Sequence, residues 1–155
     1  MKRLFIKIFI STILLLFVIA PFSLANFPEV SGNEISEPAH TDKLNIEERW
    51  GIKILSIRQS AAGYMLDFRY RVMEPEKAIQ LNNRKVKPYL IDQTSGAKLL
   101  VPNPPKIGPL RQTSVKPIPG RTYFILFANP GKFVKPGNKV TVVIGDFRAE
   151  GLTVE

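Results

Sequence analysis

Residues 63–73 read Gly63-Tyr64-Met65-Leu66-Asp67-Phe68-Arg69-Tyr70-Arg71-Val72-Met73, and this stretch decides the fold class. Tyr64, Leu66, Phe68, Tyr70 and Val72 take alternate positions, with Met65, Asp67, Arg69 and Arg71 between them. Successive side chains of an extended chain point to opposite faces, so this alternation makes one apolar face and one wet face. The stretch is predicted to be a half-buried strand with Leu66 and Phe68 in a core, on the same face as Tyr64 and Tyr70.

Working outward, residues 52–58 form the preceding strand, joined through the loop 59–63. Ile52 and Ile54 oppose Leu55 and Ile57, as expected of a strand covered on both faces or switching between sheets. Residues 86–91 make the next candidate. Pro88 has no N–H for a ladder, so an edge position is expected. The turn formers of 92–96 lead into a strand at 97–101. Residues 121–128 alternate Tyr123, Ile125 and Phe127 against Thr122, Phe124 and Leu126. Residues 139–147 place Val140, Val142 and Ile144 on one face, and 152–154 make a short last strand. Helical periodicity is nearly absent, apart from one turn expected after Glu74-Pro75-Glu76. About seven strands spaced by roughly 8–12 residues predict an all-β fold, a small antiparallel two-sheet sandwich of immunoglobulin-like type. A small closed barrel is the alternative.

The chain divides into three parts. Residues 1–25 carry a basic start (Lys2, Arg3, Lys7), an apolar run from Ile8 to Ala20 and a small-x-small exit at Ser23-Leu24-Ala25. These are the marks of a signal peptide cleaved before Asn26. The apolar run is shorter than the roughly 20 residues of a spanning helix. An uncleaved signal anchor is the alternative, leaving the domain tethered to the inner membrane. Residues 26–48 hold six acids against Lys43 and few large apolar side chains, and read as an acidic flexible linker. Residues 49–155 are the sandwich domain. An exported, periplasmic location is expected.

Residue types exclude much chemistry. There is no cysteine, hence no disulfide, no thiol redox role and no lipidated N-terminal cysteine. His40, the one histidine, precedes the domain, which rules out a histidine-based triad inside it. Zinc and copper sites draw on Cys and His, and Met65 and Met73 read as packing residues. No catalytic residue, metal ligand or cofactor is expected, and no glycine-rich phosphate loop occurs. An envelope hydrolase using carboxylates (Asp67, Asp92 or Asp146) or a Ser-Lys pair is the alternative to a non-enzymatic module.

Charge is the remaining signal. Residues 49–155 contain 18 Lys and Arg against 7 Asp and Glu, a net charge of +11. A field of this size favours anionic partners. Arg69, Arg71, Lys85, Lys87, Lys106, Arg111, Lys116 and Arg121 are the candidates for a basic binding surface. Four prolines within 102–109 impose a stiff path that either crosses between sheets or presents a preorganised surface beside Lys106 and Arg111. No reading motif for nucleic acid appears. The expected function is therefore an exported binding or accessory module. It would dock on an anionic envelope component or an acidic protein surface. Contact with the membrane is expected only through the signal segment.

Overall fold

The computed structural model describes residues 38–155; the expected signal segment and linker residues through 37 lie outside the described residues. A helix α1 (Pro38–Trp50) leads into seven strands. They are β1 (Ile52–Ser60), β2 (Met65–Val72), β3 (Tyr89–Asp92), β4 (Lys98–Leu100), β5 (Thr122–Ala128), β6 (Lys139–Ile144) and β7 (Phe147–Thr153). A single helical turn, α2 (Pro75–Ala78), follows β2 at the position expected from Pro75. One sheet has the order β1-β2-β5 and the other β4-β3-β6-β7. Every pairing is antiparallel. Residues of both sheets, among them Leu66, Phe68, Ile125 and Phe127 with Leu90, Val142 and Phe147, form one buried apolar cluster.

The alternating faces of β2 and β5 appear as expected. Leu66, Phe68, Tyr70 and Val72 are buried, as are Tyr123, Ile125 and Phe127. Tyr64 departs from this pattern and is 57% exposed. It precedes β2 after the turn at Ala61–Gly63, and Lys132 Nζ lies 4.5 Å from its ring centre.

The two-sided apolar pattern of β1 has a different cause from either expectation. Ile54 pairs with Tyr70 and Ser56 with Arg69, which leaves Leu55 as an extra residue in a β-bulge. A bulge inserts one residue and resets which face the chain presents. Ile52 and Ile54 before it, and Ile57 after it, therefore all point inward, while Leu55 stays partly exposed.

Two expected strand placements change. Residues 86–91 do not make an edge strand: β3 lies between β4 and β6. Pro88 stands just before the ladder, so its missing N–H removes no bond. The last strand begins at Phe147, because Gly145-Asp146 closes a two-residue hairpin in which Ile144 pairs with Phe147. Gly145 has φ +61, a conformation glycine adopts without penalty.

The expected linker is helical from Pro38 onward. Ile46 and Trp50, four residues apart, share one face; Ile46 packs against the core and Trp50 meets Phe147 edge-on at 5.7 Å. The Glu47 carboxylate accepts a hydrogen bond from the Ile54 N–H at 2.7 Å, on the outer edge of β1. Gly51, at φ +59, ends the helix, and its carbonyl accepts from Met73 and Glu74. Docking of 46–50 on the domain is legible in these two apolar residues, whereas the acidic composition concealed the helix that carries them.

Candidate functional site

The stiff chain after β4 crosses from one sheet to the other. Gln112 N–H donates to the Phe124 carbonyl at 3.0 Å, and Leu126 N–H donates to Leu110 at 2.9 Å. The segment Leu110–Gln112 thus guards the edge of β5. Arg111 reaches across to the loop that follows α2. Its Nη1 donates to the Val86 carbonyl at 2.9 Å, and its Nη2 donates to Leu81 at 2.9 Å and Asn83 at 3.2 Å. One planar fork with several donors suits this task.

Tyr70 and Asn82 lie behind this clamp. The Tyr70 hydroxyl donates to Asn82 Oδ1 at 3.4 Å, and Asn82 Nδ2 donates to the Ala78 carbonyl at 3.0 Å. Burial raises the Tyr70 phenol above the ordinary tyrosine value, with the Arg111 charge opposing it. Burial lowers Arg111 from its ordinary value and Tyr70 acts in the other direction. A guanidinium nonetheless keeps its charge at neutral pH.

Between the two loops lies a cleft of about 650 Å³. Val86, Pro88, Leu100, Val101, Ile107 and Pro109 supply its apolar walls, and Arg84, Lys87 and Arg111 its charges. No carboxylate lines it. Ile107 is 77% exposed and Leu100 58%. The Arg84 Nε–H donates to Thr113 Oγ1 at 3.1 Å, which holds the guanidinium by its inner edge. Neither Arg84 Nη group has a partner among the described residues.

The eight sequence candidates distribute over separate places. Lys87 and Arg111 line the cleft, and Lys85 and Lys106 stand in its two bounding loops. Arg111 is committed to backbone carbonyls and acts chiefly as a brace. Arg69 and Arg71 lie on the outer face of β2; Arg69 Nε donates to Asp67 Oδ2 at 2.9 Å. Arg71 stands opposite Lys53 and Thr122. Lys116 and Arg121 belong to the segment leading into β5, where Arg121 lies 5.8 Å from the Tyr123 ring centre. Arg84, Leu100, Ile107 and Thr113 were not singled out from sequence. Ile107 lay within the proline-rich stretch 102–109, read as a crossing or a preorganised surface, and Arg84 carried a signal as part of the basic run 84–87.

The carboxylates weighed for hydrolysis do not converge. Asp67 is buried on the outer face of β2 beside Arg69. Asp92 accepts hydrogen bonds from both the N–H and the hydroxyl of Ser95, at 3.0 and 2.6 Å, and so builds the turn after β3. Asp146 is exposed in the β6–β7 turn. None of the three lines this cleft or the depression beside α1. That second, more open depression contains Glu47, Glu48 and Glu74. There Glu47 holds β1 and Glu74 pairs with Lys77 at 2.8 Å. No group of three or more potential metal-ligating side chains forms among the described residues.

Neither a family model, a curated protein nor a solved structure matches the chain. The cleft and its chemistry therefore carry the functional reading alone. Among the described residues no helix is long and apolar enough to cross a membrane.

Proposed function

We propose that this chain is an exported, non-enzymatic binding module that docks an anionic partner through the cationic cleft. The observation that carries the reading is the cleft lining: Arg84, Lys87 and Arg111 with no carboxylate among them. Cations gathered on one lining without an opposing carboxylate attract an anion more strongly than the same charges spread over the surface. The scattering of Asp67, Asp92 and Asp146 favours this module over a carboxylate hydrolase. Export rests on the basic, apolar and small-x-small pattern of residues 1–25.

We also assign the sandwich to the immunoglobulin-like type. Strands one, two and five share a sheet, as do three, six and seven. The fourth strand sits beside the third instead of the fifth, a shift of a single edge strand from the constant-domain order.

The test measures binding of the exported chain to heparin-like polymer and to phosphatidylglycerol vesicles, at low and high salt. Binding that weakens with salt, and weakens further in the Arg84→Gln/Lys87→Gln double variant, supports the reading. Absence of any binding at low salt overturns it.

A further inference from the structure

We infer that the cleft takes a single-chain anionic amphiphile, its phosphate or carboxylate head at Arg84 and Lys87 and its apolar body along Leu100 and Ile107. The inference rests on the cationic-docking reading and narrows it to a ligand class. Three observations carry it.

The first is the state of Arg84. Thr113 takes its Nε–H, so the guanidinium is oriented while both Nη groups remain available. A guanidinium presented in this way offers paired donors to a planar or tetrahedral anion. Arg111 differs: its Nη groups are already bonded to Leu81, Asn83 and Val86, so it contributes field and rigidity in place of direct contact. Lys87, exposed on the same lining, adds a second mobile charge.

The second is the apolar part of the lining. A site for a simple inorganic anion or a charged polymer has no use for exposed Leu100 and Ile107 beside it. Both side chains stand largely in water, which is unfavourable until an apolar body covers them. Charge and apolar surface in one cleft match a ligand with a head and a tail.

The third is shape. About 650 Å³ falls inside the roughly 300–1,000 Å³ of small-molecule clefts, whose walls are mainly apolar with a few placed polar groups. Pro88 and Pro109 are part of these walls, and the Arg111 clamp ties the two bounding loops together. A pre-formed cleft loses little ordering entropy on binding.

The experiment titrates the exported chain with octyl phosphate as monomer, inorganic phosphate, octanol, inorganic polyphosphate and phosphatidylglycerol vesicles, followed by calorimetry. Octyl phosphate is expected to bind at least tenfold more tightly than inorganic phosphate or octanol. Arg84→Gln and Ile107→Ser should each weaken it on the order of tenfold, as a lost charged hydrogen bond or lost apolar contact does. Lys53→Gln, on the outer face of β1, should leave it unchanged. Vesicle binding that falls with both cleft variants identifies a membrane lipid as the source of the amphiphile. Vesicle binding indifferent to both, with octyl phosphate still sensitive, identifies a free amphiphile. If polyphosphate binds while octyl phosphate binds no better than inorganic phosphate, the amphiphile is wrong and anionic docking stands. If no anion binds, both readings fall.

Discussion

Arg111 and Phe68 mark two ways in which single residues hold this protein. The Arg111 fork satisfies three carbonyls in a loop without regular ladder bonds. Removing a charged donor leaves such acceptors partly desolvated and unpaired. Arg111→Gln is expected to cost about 2 kcal/mol or more in urea unfolding. Arg111→Lys should recover little of it, because one ammonium cannot span carbonyls at Leu81, Asn83 and Val86. Phe68, fully buried in β2, acts by volume. Phe68→Ala is expected to cost about 3–5 kcal/mol through lost transfer energy and the cavity left behind. The side chain of its neighbour Arg69 is 42% exposed, but its partner Asp67 is buried with only 7% of its side chain in contact with water. Arg69→Ala opens no cavity but leaves that carboxylate without its cation, and should cost about 1–2 kcal/mol, less than Phe68→Ala. Equal shifts in the two midpoints would contradict the register of β2.

At the scale of elements, the bulge at Leu55 governs which side of β1 is buried. Tyr70 and Arg69 are consecutive in β2, while their partners Ile54 and Ser56 are separated by Leu55. Deleting Leu55 joins Ile54 to Ser56 and keeps Ile52, Ile54 and Ile57 on one face in plain alternation. Such a deletion is expected to cost no more than about 2 kcal/mol and to preserve cooperative unfolding. Deleting Arg69 is different in kind. It slips half of β2 by one residue and turns its buried side chains to the wet face. Loss of the cooperative transition is expected there. Circular dichroism melts of the two deletion variants compare the outcomes directly; an intact transition in the Arg69 deletion would refute this account.

For the whole molecule, the buried Tyr70 phenol links stability to alkaline pH. Below the ordinary tyrosine pKa of about 10, folded and unfolded chains both keep the proton, and the contribution is fully present. Above it the unfolded chain releases a proton that burial makes the folded chain retain. Stability is therefore lost as pH rises from about 10 toward the raised folded value. Urea midpoints measured across this range should fall, and Tyr70→Phe should flatten the fall while lowering the midpoint at neutral pH through the lost bond to Asn82. An unchanged slope in Tyr70→Phe would assign the alkaline loss to other groups.

Legibility in the sequence followed the range of the forces involved. The inward faces of β2 and β5 could be read from residues two apart, because alternation is a local property of an extended chain. The strand count and the turn at Pro75 were legible because they too rest on local sequence signals. The bulge was written in the sequence only as an ambiguity. Ile54, Leu55 and Ile57 show that the phase changes, but the partner strand decides where the extra residue goes. The helical form of α1 was hidden because its six-acid neighbourhood reads as solvated, although Ile46 and Trp50 at its end already signalled docking on the domain, whose surfaces stabilise them. The same holds for the cleft. Arg84, Leu100, Ile107 and Thr113 are neighbours only after the chain crosses between the sheets and Arg111 clamps the two loops. Local periodicity thus determined the sheet faces. Long-range packing alone decided which cations became braces, which kept donor groups unbonded, and where an apolar wall stands beside them.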